Sequence, residues 1–249
     1  MKTLASIIAF MATISIVQAQ KDVIKTDIGT LTLTPILHST MAMEVDGKTI
    51  FTDPYGGKAK FDGLADPDLI LITDIHGDHL NSNTLKELNT SNTTFIVPQA
   101  VKDQMGEIDN KEIIVVGNGE TKSWSGITIK AIPMYNLPET DDSRHPKGRG
   151  NGYVIGIGGV NFYVSGDTED IPEMRSIKDI DYAFVCMNLP YTMDINQAAD
   201  AVLEFKPKVV YPFHFRGGGG KFADVEAFKK LVNDGNPNIE VRLRDWYAE

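Results

Sequence analysis

One cysteine, Cys186, stands in a chain of 249 residues, which excludes an internal disulfide and a zinc site built from thiolates. Any bound metal must be held by imidazole and carboxylate. Basic charge is also scarce: 24 Lys and Arg stand against 34 Asp and Glu, a formal charge of −10. A broad surface that grips phosphate backbone is therefore excluded, and no nucleic-acid partner is expected. Long apolar runs are missing beyond the opening MKTLASIIAFMATISIVQAQ. There Lys2 is the only charge, and the run from Leu4 to Val17 falls short of the roughly 20 residues that span a bilayer. This opening reads as a signal peptide, residues 1–19, with cleavage after Ala19. The expectation is an exported protein, periplasmic or secreted, with no stable membrane insertion after cleavage, whose residues 20–249 form one domain.

What is present is globular material, 42% hydrophobic and long enough for a sizeable core. Short β-patterned runs at 31–35, 41–45 and 49–52, separated by turn residues such as Asp46-Gly47, read as hairpins. The apolar run 69–73 reads as a strand buried on both faces. Ser82 or Asn83 is expected to cap a short helix through Leu88, and 99–105 to form another. Further strands are expected at 94–97, 112–116, 127–131, 153–157, 161–165, 182–186, 208–211 and 239–243. Asp194 is placed to cap a helix over 195–205, whose Ala198, Ala199, Val202 and Phe205 share a face, and 222–232 reads as a last helix. Two β-rich halves, each with helices, predict one layered domain of two sheets with helices outside.

The histidines are His38, His76, His79, His145 and His214. Asp74-Ile75-His76-Gly77-Asp78-His79 follows the strand 69–73 directly. Asp74 and His76 alternate off the strand end to one side. After the turn at Gly77, Asp78 and His79 can face a neighbouring position roughly 3.5 to 4 Å away, the spacing of two-metal sites. The strand 161–165 runs into Gly166-Asp167-Thr168, and the strand 208–211 into Pro212-Phe213-His214. Carboxylates and imidazoles packed so densely at strand ends are costly without a cation, which points to metal binding. His38 by itself reads as an ordinary loop histidine or as a support for a ligand. Cys186, inside the apolar Tyr-Ala-Phe-Val-Cys-Met, reads as a buried structural thiol.

Asp74-x-His76-x-Asp78-His79 resembles the H-x-H-x-D-H signature of the metallo-β-lactamase superfamily, with Asp in the first position. Ser165-Gly166-Asp167-Thr168 and Phe213-His214 are similar to that superfamily's later metal motifs in order and context. Further stretches narrow the likeness: His38, Thr52-Asp53-Pro54, Ile132-Pro133-Met134-Tyr135-Asn136, His145-Pro146-Lys147-Gly148, Tyr191-Thr192-Met193-Asp194 and Pro207-Lys208-Val209-Val210-Tyr211-Pro212. Together they resemble the ascorbate-6-phosphate-lactonase-like branch of metal-dependent hydrolases. The resemblance implies an α/β fold, the four-layer αββα sandwich of two mixed β-sheets flanked by helices. It also implies two divalent metal ions in the cleft between the sheet edges, Zn first, with Mn or Fe as alternatives. Carried over position by position, Asp74, His76 and His145 hold the first metal, Asp78, His79 and His214 the second, and Asp167 bridges them. A carboxylate at Asp74 makes the first site harder and more anionic, which favours Mn or Fe over Zn there. Many superfamily members place the His145 ligand where Asn136 stands, so Asn136 is a weak ligand or a support for one.

Two cations sharing Asp167 would bring the pKa of a bridging water toward neutrality. The expected function is a metal-dependent hydrolase that uses a metal-bridging hydroxide to cleave a small ester, lactone or phosphodiester. Asp78 is the catalytic residue, orienting the hydroxide and accepting its proton. Lys147, Arg149, Arg216 and Lys221 flank the expected ligands and are placed to grip an anionic group on a small-molecule substrate. Solvated loop charge is the equal alternative. Two other functions are carried: a true β-lactamase, disfavoured by Asp74, and a noncatalytic metal-binding or interaction protein.

Overall fold

In the computed structural model, which describes residues 20–140 and 142–248, two seven-stranded sheets follow strict chain order. The expected signal peptide, residues 1–19, lies outside the described residues. The first sheet takes β1 (Asp22–Thr26), β2 (Gly29–Leu37), β3 (Thr40–Val45), β4 (Lys48–Thr52), β5 (Leu69–Leu71), β6 (Thr94–Val97) and β7 (Glu112–Val115). The second takes β8 (Thr121–Trp124), β9 (Ile127–Met134), β10 (Gly150–Ile157), β11 (Val160–Val164), β12 (Tyr182–Cys186), β13 (Val209–Phe213) and β14 (Glu240–Val241). Each begins as an antiparallel meander, β1 to β4 and β8 to β11, and finishes with parallel pairs. The two halves thus repeat one topology that no short sequence repeat announces.

Strand alternation decides what each face meets. Leu31, Leu33, Met41, Met43, Ile50, Leu69, Leu71 and Ile96 point inward and pack with Ile127, Ile129, Tyr153 and Ile155 of the second sheet. Ala42, Phe51, Ile70, Phe95 and Val97 point outward and pack with Leu85 of α1 (Ser82–Glu87) and Val101 of α2 (Gln99–Gln104). On the second sheet, α4 (Ile195–Phe205) buries Ala198, Ala199, Ala201, Val202 and Phe205, with α3 (Pro172–Arg175) and α5 (Val225–Gly235) beside it. Each fully buried Leu, Ile or Phe contributes about 1.5–3 kcal/mol, and the result is the expected order of helix, sheet, sheet, helix. Among the described residues no helix is long and apolar enough to cross a membrane.

Some boundaries differ from expectation for local reasons. Asn81, not Ser82 or Asn83, caps α1, its Oδ1 accepting from Thr84 N at 2.9 Å. The last helix begins at Val225 because Asp224 caps it, while Phe222 turns back to pair with Arg216 as a lone bridge. The short segments β1, β8 and α3 carry too few apolar residues to be read from pattern. Asp194 does cap α4, in a box with Gln197.

Parallel pairing brings the C-terminal ends of β4, β5, β11 and β13 to one edge of the sandwich. The sheets meet closely there. Gly150 opens β10 where a Cβ would lie 2.7 Å from the Thr73 carbonyl oxygen, and Asn151 N donates to that oxygen at 2.9 Å. At the opposite end of the chain, Trp246 is fully buried against Phe184 and Phe213, and Arg244 forks the Asp22 carboxylate at 2.6 and 2.9 Å.

Candidate metal centre

After β5 the chain leaves the sheet at Thr73 and closes a turn in which His79 N and Leu80 N both donate to the His76 carbonyl. That turn separates Asp74 and His76 from Asp78 and His79. Asp53, just past β4, sits beneath it with φ 41, a conformation non-glycine residues hold only when their surroundings enforce it. Its buried carboxylate accepts from Thr73 N at 2.7 Å, Thr73 Oγ1 at 2.6 Å and His79 Nδ1 at 2.8 Å. With Nδ1–H committed to Asp53, His79 presents the Nε2 lone pair to the cleft.

Two groups of ligand-type atoms gather there, Asp74, His76 and His145 in one and Asp78, His79 and His214 in the other. Asp167 lies against both. Its Oδ2 is 3.3 Å from His145 Nε2 and 3.4 Å from His79 Nε2, and its Oδ1 is 3.3 Å from His214 Nε2. The turn into Asp167 needs Gly166, whose φ is 62 and whose Cβ would meet Met134 Sδ at 2.7 Å. Asn136 does for His145 what Asp53 does for His79: its Oδ1 accepts from His145 N at 2.8 Å and Nδ1 at 3.0 Å, leaving Nε2 free. The amide is oriented in turn by donating to the Tyr191 carbonyl at 2.9 Å.

The electrostatics of this cluster call for a cation. Burial alone would raise the Asp167 carboxyl and lower the His79 imidazole. Instead His214 and His79 hold Asp167 well below the usual carboxylate range, and Asp167, Asp53 and Asp78 hold His79 well above its ordinary value. Three carboxylates around one buried imidazole are an excess of negative charge that a metal ion held by neutral imidazoles would offset. His145 Nε2 and Asp167 Oδ1 are buried without hydrogen-bond partners, and buried polar atoms of this kind are costly unless something binds them. The donor set, imidazole nitrogen and carboxylate oxygen, fits Zn, Mn or Fe.

All seven sequence-predicted ligand residues therefore meet at one edge, in the expected grouping. The supporting candidates separate more sharply. Burial, then His214 and Arg216, push the His38 imidazole down to about 3, and its ring packs edge-on against His214 with centroids 5.0 Å apart. Lys147 is engaged by carboxylates. Its Nζ lies 2.9 Å from Glu173 and 3.7 Å from Glu139. Arg149 is consumed as well, forking both Asp74 oxygens at 3.0 Å, and together with His76 and His79 it overcomes burial to hold Asp74 at about 2. Sequence reasoning gave Asp53 no role. The only signal was its place in Thr52-Asp53-Pro54, just after a strand. Cys186 is buried and pushed up to about 11, as a structural thiol should be.

Comparison with known proteins finds similar sequences and similar solved structures. The profile of the beta-lactamase superfamily domain matches residues 32–214. A UPF0173 metal-dependent hydrolase of Thermococcus onnurineus (strain NA1) is 31% identical over 204 residues, 78% of this chain and 89% of that protein. One from Staphylococcus carnosus (strain TM300) is 28% identical over 213 residues, 81% of this chain and 92% of that one. Among solved structures, one described as a metal-dependent hydrolase of Parabacteroides distasonis aligns with TM-score 0.80 and 35% identity, covering 92% of this chain and 99% of its own. Igni18, a metallo hydrolase of Ignicoccus hospitalis, aligns with TM-score 0.70 and 25% identity over 86% and 94%.

These relatives correct one expectation. The two sequence relatives are archaeal and Gram-positive UPF0173 metal-dependent hydrolases, and they give no support to the signal-peptide, periplasmic and secreted reading. One lysine before an apolar run meets the compositional pattern of an address without showing that it is used as one.

Proposed function

This chain belongs to the beta-lactamase superfamily and is a metal-dependent hydrolase of small molecules, and on that premise we propose that it cleaves an ester, lactone or phosphodiester. Two divalent cations would be held by Asp74, His76 and His145 and by Asp78, His79 and His214, with Asp167 shared. The observation that carries this reading is the Asp167 carboxylate, in reach of imidazoles from both groups while its Oδ1 has no hydrogen-bond partner. When bound, the metals supply Lewis acidity and a water acidified toward neutrality as nucleophile.

The chain's own residues do the rest. Asp78 has the most exposed side chain of the seven, 36%, so its carboxylate faces the substrate side, orients the attacking water and takes up its proton. Asp53 and Asn136 keep His79 and His145 in the tautomer that presents Nε2. Arg149 tempers Asp74, because a carboxylate already forked by guanidinium would donate less charge to a metal at the first group. Turnover of a panel of lactones, phosphodiesters and a chromogenic β-lactam, with Zn or Mn supplied, tests the proposal. Cleavage of a lactone, ester or phosphodiester supports it. Cleavage of the β-lactam alone favours a true β-lactamase, and no cleavage contradicts it.

The Asp74 position makes a separate prediction. Asp74→His is expected to raise the preference for Zn over Mn, because imidazole suits Zn and carboxylate suits harder ions. Competition titrations of wild type, Asp74→His and Asp74→Asn with both metals check it. Three superimposable curves would remove Asp74 from the ligand set.

A further inference from the structure

The four cations flanking the centre have different fates. Lys147 and Arg149 are neutralised by Glu173 and Asp74, and Lys221 stands exposed in solvent. Arg216 is half-buried, two residues beyond His214, and no carboxylate among the described residues pairs with it. Its guanidinium lies over the Tyr247 ring at 5.0 Å, and its Nη2 contacts His38 Nε2.

Hydrogen bonding within this group has one solution. Arg216 Nη2 can only donate, so His38 Nε2 accepts and its proton sits on Nδ1. That N–H faces Tyr247 Oη at 3.2 Å, and the same oxygen accepts from Arg216 N at 3.1 Å. Tyr247 Oη therefore receives two protons and keeps its own O–H to donate. The Arg216 Nε and Nη1 donors are likewise without an acceptor among the described residues. The cluster is a cation and a hydroxyl with donors to spare, braced by an imidazole.

Its placement is not accidental to the centre. The His38 ring packs edge-on against that of His214, and His214 N donates to the His38 carbonyl at 3.1 Å. Both residues hold positive φ, 55 and 44, so their backbones are kept in a conformation that costs free energy. Tyr247 follows Trp246, which is fully buried, so the hydroxyl is anchored by the core and not by a loose tail. These last residues lie beyond the stretch 32–214 that matches the superfamily profile.

We propose that Arg216, held by His38 and Tyr247, is a subsite for an anionic oxygen group of the substrate, a carboxylate or a phosphate, beside the Asp78, His79 and His214 cluster. This rests on the reading of the centre as a hydrolase of small molecules, and it adds the direction in which the substrate lies. The charged group sits against Arg216 and Tyr247, and the scissile bond toward Asp167. Planar guanidinium with two open donors suits carboxylate or phosphate oxygens, and the Tyr247 hydroxyl adds a third contact. Arg216 and Tyr247 act here by binding, and His38 by positioning Arg216.

Binding calorimetry on the Zn-loaded full chain tests this without relying on turnover. Monomethyl glutarate and methyl phosphate are the anionic probes, and dimethyl glutarate is the neutral control. Wild type is expected to bind at least one anion about tenfold or more tightly than the neutral diester. Arg216→Gln should remove that preference while metal content stays the same. Tyr247→Phe, which keeps the ring beneath the guanidinium, should weaken the anion by a smaller factor, and Arg216→Lys should restore part of the loss. Whichever anion loses more in Arg216→Gln names the group. Equal binding of anion and diester by wild type overturns the proposal, as does undiminished anion binding in metal-replete Arg216→Gln, which would place the anion on the metals alone. A failed hydrolase reading shows differently, as intact, Arg216-dependent binding with no turnover of any panel substrate.

Discussion

Asp167→Asn is expected to lower turnover by about a thousandfold, or about 4 kcal/mol of transition-state stabilisation, and to reduce bound metal from two ions to one or fewer. The side chain keeps its shape, so the effect isolates the charge. Among the described residues Asp167 is the one carboxylate within 3.4 Å of His79, His145 and His214 together, and without its charge the two groups lose their shared anion. Elemental analysis beside kinetics checks this. Two metals retained with unchanged affinity would show that Asp167 bridges nothing.

Asp53→Asn should act through a proton. The new amide can still accept from Thr73 N, but the NH2 it turns toward His79 Nδ1 can only donate. His79 must then accept at Nδ1 and carry its proton on Nε2, where no metal can bind. Metal affinity at the second group is expected to fall about 10- to 100-fold, as when other outer partners of ligating histidines are lost. Zn titration of the two proteins measures it. A larger loss in Asp53→Ala than in Asp53→Asn would show that Asp53 mainly satisfies Thr73, because only the alanine leaves that buried N–H unpaired.

Much of the centre was legible because ligands must be chemically special. Imidazoles and carboxylates crowded at a buried strand end stand out against apolar neighbours, and Asp74 to His79, Asp167 and His214 carry that contrast in sequence. The residues that support them do not. Asp53 is one aspartate among many until β4 is paired beside β5 and its carboxylate meets His79. Arg149 and Lys147 read as substrate cations because their partners, Asp74 and Glu173, are distant in sequence. Strands with inward and outward apolar faces were found at their hearts, while edge strands such as β8, with the pattern Thr-Lys-Ser-Trp, lack the alternation that reveals them. The repeat of one topology in both halves is a property of pairing order, which short-range pattern does not carry.

The central claim, that these seven residues form a two-metal centre, is tested most directly by metal stoichiometry of the purified chain after loading with Zn and removal of free ion. Elemental analysis should give two ions per chain in wild type and one in His79→Ala and in His214→Ala, with the fold kept by circular dichroism. The same stoichiometry in wild type and both variants, or no bound metal in wild type, would contradict the account.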